Sequence, residues 1–82
     1  MTAVYVLDVP ENREIARVAA EGPDVTTRKV GPYFEFSSGD EIAVDRLATG
    51  VRHAVWYSAI AGLGNSEVVQ HDRHALRVRA RG

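Results

Sequence analysis

Apolar positions recur along this chain with two periods, and the switches between them divide it into elements. Ala3–Leu7 is apolar on both alternating faces, the pattern of an interior strand covered on two sides. Asp8-Val9-Pro10-Glu11-Asn12 then opens a helix. Pro10 suits the first helical position, where a missing N–H costs nothing, and Glu11 complements the positive end of the dipole. Ile15, Val18 and Ala19 form an apolar stripe, with Arg13, Glu14, Arg17 and Glu21 outside it, and Gly22-Pro23 closes the helix. Two extended runs follow, Val25–Val30 and Tyr33–Ser37, joined by Gly31-Pro32 as a hairpin; Phe34 and Phe36 share one face, and Tyr33, Glu35 and Ser37 the other. Ser38-Gly39-Asp40 is a turn, and Glu41–Val44 a short strand with Ile42 and Val44 inward. Asp45 can cap the helical segment after it, in which Gly50 predicts a break between Leu47 and Val51.

The stretch Arg52–Gly64 organises the rest. It carries the only tryptophan and ends in two glycines, and it reads as a helix closing on Gly62 with a loop from Gly62 to Asn65. Val51, Val55, Ser58 and Gly62 then lie on one side, while Trp56 and Ile60 form a second apolar ridge beside Tyr57. A helix apolar over so much of its circumference is deeply buried or meets something besides its own domain. Burial on all sides is hard to arrange in so small a chain. The candidate partner-binding surface is therefore Trp56, Tyr57, Ser58, Ala59 and Ile60, with Gly62, Leu63, Gly64 and Asn65 after them. Aromatic anchors supply area there, and small residues permit close backbone approach.

Glu67–Gln70 and Ala75–Ala80 are two further strands, split by a polar turn at His71-Asp72-Arg73. The predicted order is β-α-β-β-β-α-β-β: an α+β fold in which a mostly antiparallel sheet packs against two or three helices. Eighty-two residues make one domain, residues 1–82.

Composition narrows the function classes. Ten basic against eleven acidic side chains give a net charge of −1, where a nucleic-acid module would be clearly basic. Arg73, Arg77, Arg79 and Arg81 do make a local basic stripe, whose plainer reading is a solvated strand face that discourages edge pairing. The chain has no cysteine, which excludes disulfides and thiolate chemistry. No charged leader precedes an apolar core, and no apolar run approaches the roughly 18 residues of a membrane span. The expectation is a soluble cytoplasmic protein with no membrane and no nucleic-acid partner.

Catalytic constellations are absent from the sequence. His71 and His74 flank Asp72, but three ligands from one turn without a fourth make a poor closed metal site, and polar turn residues are the better account. His53, Ser58 and Asp45 hold the ingredients of a triad; on one helix, positions five apart point to different faces, and no nucleophile elbow is present. Gly62-Leu63-Gly64 follows a helix instead of opening one, so no helix N-terminus faces an anion there. No carboxylate pair sits in an apolar context suited to acid/base work. No residue is assigned a catalytic, cofactor-binding or metal-binding role.

Val4-Tyr5-Val6-Leu7-Asp8, followed by Glu11-Asn12-Arg13-Glu14-Ile15, resembles the opening of the small coupling (effector) proteins of bacterial multicomponent diiron monooxygenases, the regulatory proteins of methane, phenol, toluene and alkene or propane oxidation. The resemblance continues through Asp24-Val25-Thr26 and the hairpin Gly31-Pro32-Tyr33-Phe34-Glu35-Phe36. Glu41-Ile42-Ala43-Val44 is similar to the family's short strand before its paired helices. Ser58-Ala59-Ile60-Ala61-Gly62 is similar to its run of small or hydroxyl residues closing on a glycine, and Leu76-Arg77-Val78 to its terminal strand. The likeness spans Val4 to Val78. The region between Gly50 and His53 is shorter than in the family, and Leu63 stands where an arginine often follows the glycine. The long N-terminal extension of the methane-oxidising member has no counterpart, so no docking role for a tail is expected. The resemblance implies no enzymatic activity and no bound cofactor. It implies a partner, the diiron hydroxylase component, with a functional link to its reductase, and an effect on substrate and oxygen access and on electron coupling. The competing expectation from element order alone is a small ferredoxin-like domain that binds a ligand or dimerises; weak nucleic-acid binding through the arginine stripe is a third.

Overall fold

Strand β1 (Thr2–Leu7) is flanked by β3 (Tyr33–Ser38) and β5 (Ile60–Gly64), and β2 (Thr26–Val30) completes a four-stranded sheet of order β2-β3-β1-β5 in this computed structural model, which describes residues 1–81. A second sheet has the order β4-β7-β6, from β4 (Ile42–Asp45), β6 (Ser66–His71) and β7 (Ala75–Ala80). Every strand pairing is antiparallel. A 3-10 turn, Pro10–Asn12, leads into α1 (Arg13–Ala20), and two short helices, α2 (Arg46–Thr49) and α3 (His53–Ser58), link the sheets. The fold is α+β, as the sequence predicts. It is not the single four-stranded sheet of a ferredoxin-like domain, because the strands divide between two sheets.

Local chemistry accounts for most boundaries. Pro10 stands at the start of its turn, and the Asn12 side-chain amide donates to the Leu7 carbonyl at 3.0 Å, fastening the chain reversal after β1. On α1, Ile15 and Ala19 are buried, while Arg17 sits outside and bridges Glu14 at 3.1 Å and Glu21 at 3.3 Å. Gly31 adopts φ +57 in the two-residue turn between the paired Val30 and Tyr33, a conformation costly for a residue with a Cβ. Asp45 caps α2 as predicted, its carboxylate accepting from the Leu47 N–H at 3.1 Å, and Gly50 ends that helix in the left-handed conformation (φ 67).

The core is formed by Val4 and Val6 of β1, Phe36, Ile42, Val44, Leu76 and Val78 of the other strands, and Ile15, Ala19, Trp56 and Ala59. The sequence predicts β1 covered on both faces, and here the structure differs. Thr2, Val4 and Val6 are buried, but Ala3 and Tyr5 are half-exposed and Leu7 is exposed. The reason is that Tyr5 does not need a second layer. Its hydroxyl donates to Glu35 at 2.5 Å, and Glu35 in turn pairs with Arg28 at 3.1 Å, so a polar cross-strand chain lies over the outer face. That hydrogen bond to Glu35 is also the main reason the Tyr5 phenol is held above its ordinary pKa. At the far edge β2 is exposed along its length, where Arg28 and Lys29 discourage pairing with another chain.

The sheets are joined at Gly64-Asn65-Ser66. Asn65 takes a left-handed turn (φ 51), and its carbonyl accepts from the Arg81 N–H at 3.1 Å. The buried Ser66 hydroxyl accepts from the Ala3 N–H at 3.0 Å and donates to the Gly64 carbonyl at 2.8 Å. One side chain thus closes the end of the β1–β5 ladder and anchors the start of the second sheet.

Candidate partner-binding surface

The stretch around Trp56 folds differently from its expected form. Helix α3 ends at Ser58, whose hydroxyl turns back to the Ala54 carbonyl at 2.7 Å, and Ile60–Gly64 is strand β5 rather than helix and loop. Its pairing with β1 aligns Val6 with Ile60, Tyr5 with Gly62, Val4 with Leu63 and Ala3 with Gly64, with a bulge at Ala61. Gly64 has a packing reason: a Cβ there would stand 3.1 Å from the Ala3 Cβ and 3.4 Å from the Tyr5 ring. One on Gly62 would meet that ring at an ordinary 4.0 Å. Gly62-Leu63-Gly64 is therefore neither a flexible loop nor a phosphate cradle.

The nine residues of the expected surface separate into two groups. Trp56 is 1% exposed and Ala59 3%, so both belong to the core and not to a contact surface. The indole Nε1 donates to the Asp72 carbonyl at 2.6 Å, and the ring meets His71 edge-on at 5.6 Å. What the sequence leaves open is solved by the second sheet, whose β6–β7 turn closes over the indole. Ile60 and Leu63 are half-buried against the same core, since each pairs with a buried valine of β1. Tyr57, 40% exposed, and the exposed Ser58 and Asn65 face outward, while Gly62 and Gly64 are half-exposed beside Tyr5. Ala61, at the bulge, is exposed between them. The outward surface is thus the end of α3 followed by an edge strand that carries no charge.

Two histidines brace this surface. The Tyr57 ring lies 4.6 Å from His53, one turn back on α3, and 5.1 Å from His71 at the end of β6. His71 Nε2 donates to the Trp56 carbonyl at 3.2 Å, satisfying one of the acceptors that a helix leaves unpaired at its C-terminus. The spacing of His53 and Tyr57 on one helix face was readable in the sequence. The approach of His71 from another element was not.

The residues considered for chemistry are engaged elsewhere. Asp72 accepts from the backbone N–H groups of His74 (2.8 Å) and Ala75 (3.1 Å) and from the Gln70 side chain (3.1 Å). These bonds, led by the one from His74, draw its carboxyl down to about 2. Asp45 caps α2 and Ser58 bonds Ala54, so no relay with His53 is assembled. Among the described residues no three His, Asp or Glu side chains converge as metal ligands would. In the arginine stripe, Arg77 pairs with Glu41 at 2.7 Å, which lowers the Glu41 pKa, and Arg79 pairs with Glu67 at 3.0 Å. Half of the stripe is thereby neutralised. No helix among the described residues is long and apolar enough to cross a membrane.

No family model matches the sequence, and no curated protein matches it. The fold does have a counterpart in a chain from the solved structure of a phenol hydroxylase–regulatory protein complex. The two superpose with a TM-score of 0.79 over 98% of each chain, at 10% sequence identity. They share one fold. With so few residues in common, what the two share is the arrangement of strands and helices.

Proposed function

We propose that this chain is a cofactor-free regulatory component that binds the hydroxylase of a multicomponent diiron monooxygenase and tunes substrate and oxygen access and the coupling of reductase electrons to product. The observation that carries this reading is the end-to-end fold match to a chain from a hydroxylase–regulatory protein complex. The resemblance of Val4–Val78 to the coupling proteins, which rests on the order and spacing of its segments, supports the same reading. The contact surface in this reading is Tyr57, Ser58, Ala61, Gly62, Gly64 and Asn65. Tyr57 supplies a braced aromatic anchor, and the small residues of β5 let a partner backbone come close.

An interface of ordinary size buries about 800 Å² on each partner, roughly a sixth of the 4933 Å² surface of this chain. One face suffices. The mechanism is a population shift: the chain must bind one conformation of the hydroxylase better than another, since equal affinity for both moves nothing. A component that cycles against a reductase works at micromolar affinity, about −8 kcal/mol.

The test is reconstitution with a diiron hydroxylase and reductase from the same source. Product formation per NADH rises with added chain and saturates, and Ala61→Trp, at an exposed strand position that tolerates a bulky side chain, removes the effect while the far-UV spectrum is unchanged. No change in turnover or coupling at saturating wild-type chain overturns the proposal.

A further inference from the structure

Beside the Tyr57 surface, the α2–α3 junction and the β6–β7 turn enclose an open hollow of about 470 Å³, lined by Arg46, Leu47, Gly50, Val51, Arg73 and His74. Its walls are tied together, because the Arg46 N–H donates to the His74 carbonyl at 3.0 Å and Arg73 Nε donates to His74 Nε2 at 3.4 Å. Leu47 stands at the rim 89% exposed, more than any other large apolar side chain among the described residues. One exposed leucine is unremarkable alone; beside two guanidiniums that no carboxylate neutralises it is not.

Arg17, Arg28, Lys29, Arg77 and Arg79 each pair with a carboxylate. Among the described residues Arg13, Arg46, Arg52, Arg73 and Arg81 pair with none, and of these Arg46 and Arg73 line the hollow. The acids next to them in sequence do not neutralise them: Asp45 is turned to the Leu47 N–H, and Asp72 to those of His74 and Ala75. The hollow therefore offers two guanidiniums that no carboxylate neutralises, Arg73 held at its Nε by His74, and an aliphatic side chain at the rim.

Resting on the proposed docking to the hydroxylase, we infer that this hollow receives an acidic segment of that partner, with carboxylates meeting Arg46 and Arg73 around an apolar side chain set against Leu47 and Val51. Guanidinium forks match carboxylates in a bidentate way, and the leucine adds apolar contact. A nucleic acid fits poorly, because the chain carries net charge −1 and two cations with a leucine between them do not track a phosphate backbone. A second copy fits poorly as well, since a two-fold contact about this hollow sets guanidiniums against guanidiniums. Continuity with the docking surface is direct: His71, which stacks on Tyr57, begins the turn that ends in Arg73 and His74.

The experiment measures the affinity of the diiron hydroxylase used in that reconstitution for wild type, Arg46→Glu/Arg73→Glu, Leu47→Asp and the charge-matched control Arg28→Glu/Lys29→Glu on the β2 edge. At about 10 mM ionic strength, where charges act over roughly 30 Å, the Arg46/Arg73 reversal weakens binding at least tenfold, mainly through a slower association rate. Leu47→Asp weakens it severalfold, the control less than twofold, and the gap between wild type and the reversal closes near 1 M salt. Equal weakening by the control, or wild-type affinity and salt dependence in the reversal, overturns the hollow and leaves the docking proposal standing. A wild-type chain that does not bind the hydroxylase overturns both.

Discussion

Replacing Trp56 by Phe separates a core residue from a contact residue. The indole is 1% exposed, and its Nε1–H donates to the Asp72 carbonyl at 2.6 Å. Phenylalanine keeps an aromatic ring in the pocket but loses the donor, at a net cost of about 1 kcal/mol. The smaller ring leaves ~40 Å³ unfilled, and at ~24 cal/mol per Å³ the cavity costs about 1 kcal/mol more, besides the lost transfer energy of the missing carbons. The sum is about 2–3 kcal/mol. For 82 residues the whole stability is on the order of 4–12 kcal/mol, at ~0.05–0.15 kcal/mol per residue, so the loss is large without being fatal. Urea unfolding followed by circular dichroism, since the substitution removes the only tryptophan, shows the midpoint falling by about 1–2 M. Hydroxylase affinity of the folded variant stays within a factor of about two to three. An unchanged midpoint with lost affinity refutes the core assignment and returns Trp56 to the contact surface.

Ser66→Ala removes the hydroxyl that serves both the Ala3 N–H and the Gly64 carbonyl at a buried position. It costs about 1–3 kcal/mol in urea unfolding, and a loss under about 0.5 kcal/mol contradicts the bridging role. Asp72 titrates near 2 in the folded chain against an ordinary 3.8. A depressed folded pKa means its contribution to stability is fully present above about pH 4 and is lost as pH falls toward 2. Carboxyl NMR checks the midpoint, and a value near 4 contradicts the turn geometry. Asp72→Asn, which keeps an acceptor for the two N–H groups, flattens that acid limb of the stability curve.

What was legible in the chain was what neighbours in sequence decide. The Gly31-Pro32 hairpin, the Asp45 cap, the Gly50 break and the α1 stripe each depend on residues within about one turn of one another, and all are present. From sequence Ile60–Gly64 reads as helix and loop, because five uncharged residues carry no decisive period. Its strand identity comes from β1, more than fifty residues earlier in the chain, against which Gly64 packs closely at Ala3. The same long-range packing explains Trp56. An all-round apolar helix in a small chain suggested exposure, and the β6–β7 turn supplies the cover. The bracing of Tyr57 by His71 and the meeting of Arg46 with Arg73 around one hollow arise between distant segments, so no local pattern announces them. The fold match to a chain from a phenol hydroxylase–regulatory protein complex depends on the overall arrangement of elements, which one strand in place of a helix and loop does not upset.

Amide hydrogen exchange of the wild-type chain, alone and with a saturating amount of the hydroxylase, tests the central claim most directly. The account predicts slowed exchange at the end of α3 and along β5, from Tyr57 to Asn65, where an edge strand lacks a neighbour on one side. The exposed β2 edge stays unaffected. Protection confined to β2 or the outer face of β7, or no protection anywhere, contradicts it.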